Sequence, residues 1–456
     1  MNPLQPTRRE FLESLGALGA GAAWLGGGRF GRALGAEEKP AGERLAIEGG
    51  TPVRKNMLST GCYGPQYYDD EEKRELIEVI DSRNPFRHAG GKVAQFEREY
   101  AKYLGAKYVI GVTSGTTALY AAMAALEIGP GDEVICPAWN WYADYDAIVL
   151  CGALPVFAEI DESLGIDPDD IEHRITPKTK AIIVAHLQGG VCDMDRIMAI
   201  ARKHNIRVLE DLAQCVGGKY KGKPLGTIGD IGINSFQLSK TITSGEGGAV
   251  ITNDPVLYER AFRFHDVGTV SRCFQESIGN GVLSGFASCN FRMSELTAAV
   301  LRAQLRKLDT ICNNLRANAR KVKEGIQDLP GIKFRKTGCP EGDLGYAVMI
   351  DMGNRQRRDQ FLRALRAEGI SAIGPAGSVF LPADPRVEQK RTIHPDWPSF
   401  KSERGQQIQY GAAAYPKTAD ILNRFGGPHI GPKYTDEDVA DIIKAVRKVY
   451  LAMHKA

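Results

Sequence analysis

"NSFQLSKTITSGEGGAV", Asn234 to Val250, is the stretch on which the reading of this chain turns. A strand-like run, Ile231 to Phe236, is followed by a single lysine, Lys240, and then by glycines at 245, 247 and 248. The glycines fit close backbone approach or positive φ. They fit equally well an ordinary hairpin whose lysine is a solvated turn residue. The flanking sequence has to decide.

Outward from that stretch the chain alternates. "KYVIGV" (107–112), "EVICPAW" (133–139), "TKAIIVAHL" (179–187) and "IRVLEDLA" (206–213) read as short apolar strands. "DDEEKRELIEVID" (69–81) reads as a helix with an acidic first turn and an apolar face at Leu76, Ile77 and Ile80. "TTALYAAMAALEI" (116–128) and "DMDRIMAIARKHN" (193–205) read as further helices. Strands alternating with helices predict an α/β fold, a mostly parallel sheet covered on both faces. We place this large domain at 45–300. A long helical stretch, residues 293–326, then bridges to a smaller C-terminal α+β domain, giving a second region at 301–456.

At 456 residues the chain is long enough for two domains, with 43% hydrophobic and 25% charged residues. A balance of 58 basic against 55 acidic residues gives no field to hold nucleic acid or an anionic membrane. No integral membrane segment is expected in the body of the chain. The first 36 residues differ: Arg8 and Arg9 precede Phe11, Leu12 and a weakly apolar, glycine-rich run through Leu25. They resemble a twin-arginine signal peptide, which carries already folded proteins out of the cytoplasm to a periplasmic or other extracytoplasmic address. A tail with an incidental arginine pair is the other reading. The nine cysteines are scattered, without zinc spacing, so neither a metal site nor a disulfide framework is expected. Cys136 and Cys151 sit in strand-like apolar stretches.

Ligands of such sheets bind beyond the carboxyl ends of the strands. In "VTSGTTAL" (112–119) a strand turns into a helix whose first N–H groups, at Gly115, Thr116 and Thr117, can hold a phosphate. Capping by Thr113 or Ser114 is the plainer reading. Asp211, ending an apolar strand, is expensive to bury without a cation, and a pyridinium nitrogen is one candidate. A desolvated Lys240 can form a Schiff base. Trp139 and Trp141 offer a face for an aromatic ring, or core packing. Cradle, aspartate and lysine are the parts that pyridoxal 5′-phosphate needs.

With those residues in place, the chain resembles the DegT/StrS family of sugar aminotransferases, pyridoxal phosphate enzymes of fold type I. The likeness rests on "FEREYAKYLGAKYVIGVTSGTTAL", "GPGDEVICPAWNWYADYDAI", "LEDLAQCVGGKYKGKPLGTIGDIG", "SFQLSKTITSGEGGAVITND" and "NFRMSELTAAVLRAQL". It implies that Lys240 carries the cofactor and Asp211 pairs with its ring nitrogen. It further implies that Gln214 stands near the 3′ oxygen, that Gly115, Thr116 and Ser235 bind phosphate, and that Trp141 stacks on the ring. Asn290 would reach the neighbouring subunit's phosphate, so a homodimer with shared sites is implied. Leu212, Cys215 and the bulky Trp139-Asn140-Trp141 run depart from the family's usual residues.

The segments look most like glutamine:scyllo-inosose aminotransferases and aminohydroxybenzoate synthases. This implies glutamine or glutamate as amino donor and a keto-sugar or keto-cyclitol as acceptor, with Lys240 as the base that moves the α proton. A sugar dehydratase, or a cofactor-binding sensor without activity, are the competing readings on the same scaffold. The presence of the lysine argues against the dehydratase.

Overall fold

The computed structural model describes residues 44–269, 278, 281, 283–375 and 377–454. The proposed signal segment and Cys273 lie outside the described residues. In chain order the main elements begin with α1 (Asp70–Ser82), α2 (Lys92–Leu104), β1 (Tyr108–Val112) and α3 (Gly115–Ala125). Next come β2 (Glu133–Pro137), β3 (Trp139–Asn140), α4 (Tyr142–Leu150) and β4 (Leu154–Ala158). They continue with α5 (Pro168–Arg174), β5 (Thr179–Ala185), α6 (Met194–His204) and β6 (Arg207–Asp211). A small hairpin, β7 (Lys219–Tyr220) and β8 (Lys223–Pro224), precedes β9 (Ile231–Ser235), β10 (Gly248–Thr252) and α7 (Pro255–His265).

Seven strands form one sheet in the order β1-β10-β9-β6-β5-β2-β4. β4, β2, β5, β6 and β9 pair in parallel, and β10 runs antiparallel to both β9 and β1. β10 is therefore the one reversed strand of a mixed, mostly parallel sheet. Every residue of β2, β4, β9 and β10 is buried, as expected of strands covered on both faces. The expected fold class is the one observed.

Beyond the sheet, α8 (Glu295–Glu324) leads to β11 (Ile350–Asp351), α9 (Arg355–Ala367), β12 (Ala372–Ile373) and β13 (Val379–Phe380). α10 (Pro416–Arg424), β14 (Phe425–Pro428) and α11 (Asp436–His454) complete the described chain. β11, β14 and β12 make a second, three-stranded sheet. β13 instead pairs with β3, tying a late segment of the chain to the rim of the large sheet. The division expected at residue 300 falls inside α8, and the described residues form one compact unit.

Two expectations about local packing are corrected. α1 forms where expected, opened by a capping box in which Asp69 accepts the Glu71 N–H (2.8 Å) and Glu72 accepts the Asp69 N–H (2.9 Å). Its buried face, however, is Glu72, Glu75 and Val79, while Ile77 and Ile80 are exposed. The reason is α8. That helix presents Arg302 and Lys307, which bind Glu75 and Glu72 at 2.8 Å, and Gln304, which donates to Glu72 at 2.8 Å. Paired charge can be buried, and here it displaces the apolar stripe. Cys151 is the second correction: it follows α4 as its C-terminal cap rather than sitting in a strand.

Candidate active site

Every parallel strand that carries a candidate residue ends on the same side of the sheet, so the turns after β1, β2, β6 and β9 converge. They line a cavity of about 430 Å³ that takes in Gly115, Thr116, Trp141, Asp211, Gln214, Ser235 and Lys240. Seven of the eight residues inferred from sequence thus meet in one place. Asn290 does not: it is exposed, in a bridge with Asp266, and its Oδ1 accepts the Arg292 N–H (3.3 Å).

The cradle is built at the β1–α3 turn. Ser114 caps α3, its Oγ accepting the Thr117 N–H (3.1 Å), and the Thr117 Oγ1 accepts the Ser114 N–H (2.9 Å). Capping therefore takes Thr117 out of the anion site proposed from sequence. The N–H groups of Gly115 and Thr116 have no partner within their own helix. A Cβ at Gly115 would stand 2.6 Å from the Ser235 Cβ, so glycine is what lets the helix start press against β9 beside the Ser235 hydroxyl. On the other flank, a Cβ at Gly248 would stand 2.2 Å from the Ser114 carbonyl oxygen. Two free N–H groups, a hydroxyl and a helix N-terminus suit a phosphate monoester.

Lys240 lies in the connection between β9 and β10, pinned by backbone bonds from Phe236 to Gly247 (2.8 Å) and from Leu238 to Gly245 (3.0 Å). Gly245 makes the turn at φ 85°. The Lys240 Nζ makes no hydrogen bond or ion pair to any described residue. Burial holds its ammonium below the ordinary lysine range, against Asp211 and Glu246, which pull the other way. A cavity amine with a depressed pKa and no partner is a nucleophile in waiting. The hairpin reading of this loop was geometrically right. Lys240 itself is half-buried at the cavity.

Asp211 ends β6 and is 7% exposed; its Oδ1 accepts the Ala213 N–H (2.7 Å). Burial pushes its carboxyl up from the usual range, opposed by that N–H, by Lys240, by Asp144 and by His186. An anion so placed gains from a cationic ligand, and a pyridinium nitrogen fits. Trp141 is half exposed over the cavity, whereas Trp139 is 1% exposed and packs with Ile160, Leu187 and Phe425. Of the two tryptophans, one is core and one is free to face a ring.

Gln214 lines the cavity, but its amide is occupied. Nε2 donates to the Gly377 carbonyl and the Ser378 Oγ, both at 2.9 Å, and Oε1 accepts the Gln188 N–H (3.1 Å). For Gln214 to serve a ligand's oxygen, one of these bonds must be exchanged. The segment at 377–378, which follows from the β13–β3 pairing, thereby reaches the site. Sequence reasoning had not placed it there.

It also missed Asn140, His186 and Asp144. Asn140 and His186 line the cavity from the ends of β3 and β5. His186 was detectable, because a polar residue ending an apolar strand on the ligand side is the signal that singled out Asp211. Its Nδ1 accepts the Cys192 N–H (3.2 Å), and its Nε2 stands 3.5 Å from Glu210. Asp144 is buried in the first turn of α4, against Asn140 and Asp211.

Comparison with known proteins agrees with this geometry. Residues 66–380 match the DegT/DnrJ/EryC1/StrS aminotransferase family. A putative L-glutamine:3-amino-2,3-dideoxy-scyllo-inosose aminotransferase of Micromonospora echinospora is 34% identical over 420 residues, 89% of this chain and 97% of that one. A GDP-perosamine synthase of Escherichia coli O157:H7 is 35% identical over 354 residues, 75% of this chain and 93% of that one. Among solved structures, an aminotransferase from Psychrobacter cryohalolentis superposes with a TM-score of 0.72 at 27% identity, covering 87% of this chain and all of that one.

Proposed function

This chain belongs to the DegT/DnrJ/EryC1/StrS aminotransferase family, and from that premise we propose that it binds pyridoxal phosphate at Lys240 and moves an amino group from glutamine or glutamate to a keto-cyclitol or keto-sugar. The family's aminotransferases depend on that cofactor. The observation that carries the reading is the unpartnered, desolvated Lys240 sharing one cavity with the buried carboxyl of Asp211 and the open start of α3.

When bound, the cofactor supplies an aldehyde to hold the amino group and a ring to take up the electron pair freed at the adjoining carbon. The chain's own residues do the rest. Gly115 and Thr116 N–H groups and the Ser235 hydroxyl bind the phosphate. Asp211 holds a proton on the ring nitrogen, and Trp141 offers a face to the ring. Lys240 would take the proton from the donor's α carbon as general base and give it back as general acid.

Borohydride reduction of the yellow protein followed by peptide mapping tests the seat: the adduct should be on Lys240, and an adduct on another lysine would overturn it. A panel of amino donors followed by keto-cyclitols and keto-sugars then tests the reaction. The relatives' names favour glutamine and a cyclitol, while the synthase named for a GDP sugar keeps a nucleotide-bound acceptor in the panel.

Two further features belong to the same proposal. The exposed Asn290, outside its own cavity, suits a residue that completes the site of a second copy, so we take the working form to be a homodimer. Arg8 and Arg9 ahead of a weak apolar run support export of the folded, loaded protein by the twin-arginine route. Replacing both with lysine should hold the uncleaved precursor in the cytoplasm. Unchanged fractionation would refute that address.

A further inference from the structure

We propose that Asp144 is a positioning residue for the cofactor nitrogen: a carboxylic acid that keeps its proton and donates it to Asp211. The inference rests on the cofactor seat described above and begins from two carboxyls buried together. Asp144 is 1% exposed and stands within hydrogen-bonding reach of Asp211, itself 7% exposed. Its Oδ2 accepts the Asn140 Nδ2–H (2.5 Å), whereas its Oδ1 has no partner among the described residues. A buried acceptor left bare beside another carboxyl is unfavourable, and a proton between them removes the fault.

Two buried carboxyls in contact do not both ionise. Which one keeps the proton follows from their surroundings. Asp211 has the Ala213 N–H, the Lys240 amine and the His186 ring to support its charge. Among the described residues, Asp144 has the Asn140 amide, Asp211 itself and the Cys136 thiol beside it. Burial and the charge of Asp211 push Asp144 well above the carboxylate range. The start of α4 acts in the opposite sense, but a helix terminus is worth at most about thirtyfold in an equilibrium. Full burial reaches several powers of ten.

The consequence is an arrangement in which Asp211 is held anionic and fixed by a neutral donor behind it. Its remaining oxygen is left for the cationic ring. Asp144 does not line the cavity; it acts through Asp211. No proton has to leave the pair during turnover.

Infrared difference spectroscopy on the apo-protein reads the proton directly. At neutral pH the native protein should show a protonated-carboxyl stretch that is absent from Asp144→Asn. A native spectrum without that band, or an unchanged band in the variant, overturns the proposal. An isosteric pair reads the consequence. Asp144→Thr keeps an O–H donor for Asp211, and Asp144→Val has the same shape without one. Thr should retain the single-turnover rate with an amino donor within about threefold. Val should lose about ten- to a hundredfold, the worth of one hydrogen bond to a charged group, with a shifted pH midpoint of the cofactor's visible band. Equal behaviour of the two variants, with both folded by thermal unfolding, would sink the assignment. If the native protein takes up no cofactor, the reading of the site fails, and the infrared band still reports on Asp144 alone.

Discussion

Replacing Asp211 by asparagine is the most discriminating perturbation of the proposed site. Asparagine keeps the shape and the acceptor oxygen that receives the Ala213 N–H (2.7 Å), and removes the charge. A carboxylate at contact distance from a cation is worth about one to three pKa units, or roughly 1.4–4 kcal/mol. Losing that hold on the ring nitrogen should slow the half-reaction with glutamine or glutamate by about ten- to a thousandfold. Stability should move the other way. Burial raises the Asp211 carboxyl in the folded protein, so the folded state binds its proton more tightly than the unfolded one. Such a group opposes folding as pH rises through and beyond its ordinary range, and the effect vanishes where both states are protonated. The apo variant should therefore melt at the same temperature as the native protein, or higher, at neutral pH, and the difference should close as pH falls. Stopped-flow absorbance after mixing loaded enzyme with donor gives the rate, and calorimetry of the apo forms gives the stability. A variant that reacts within about threefold of the native rate would show Asp211 to be a local turn cap and the mechanism to be wrong.

Other consequences can be checked alongside. Because burial depresses Lys240, cofactor uptake by the apo-protein should rise with pH to a midpoint below that of an ordinary lysine, and Lys240→Arg should abolish the adduct while leaving the fold intact. Gly115→Ala should weaken cofactor affinity at least about tenfold by driving a methyl group against Ser235, where only 2.6 Å is available, and equilibrium dialysis measures it. Glu75→Ala, which removes the carboxylate shared by Lys92, Arg302 and Arg306 but leaves them paired with Glu78, Glu99 and Glu71, should cost about 1 kcal/mol in urea unfolding. That loss should shrink at low pH: pairing with Lys92 and Arg302 outweighs burial and lowers Glu75, whose contribution is present above the ordinary carboxylate range and fades as pH drops through the folded value.

What the sequence carried was periodicity and punctuation. The strands 108–112, 133–137, 179–185 and 207–211 announced themselves as apolar runs bounded by glycine, proline or polar residues, and their order already implied a common carboxyl edge. That edge rule collected Gly115, Asp211 and Lys240, because each lies within a few residues of a strand end, while Ser235 came only from the family resemblance. It does not register relations between distant segments. Burial of α1 was misjudged because the partner that selects its face, the basic stripe of α8, lies more than two hundred residues away. Gln214 is committed to Gly377 and Ser378 for the same kind of reason. Asp144 escaped notice because an acidic residue in a first helical turn is ordinary, and only tertiary contact sets it against Asp211. Asn290 shows the converse: the resemblance gives it a role that a single chain does not display.

The reversed strand has a bearing on how the protein is made. β10 sits between β1 and β9, with Val112 opposite Gly248 on one side and Gly248 opposite Ser235 on the other. On the ribosome, then, β1 and the start of α3 emerge long before the strand that joins them to Ser235 and closes the loop around Lys240. Pairing between segments so distant comes late, because the loop must close before the contacts reward it. A nascent chain that ends short of β10 has no phosphate cradle and no anchored lysine, so it has nothing to offer the cofactor. Uptake of the cofactor thus marks a finished molecule, and by mass action it stabilises that molecule alone. Colour in a purified sample is, by this account, an index of completed synthesis and folding as much as of occupancy.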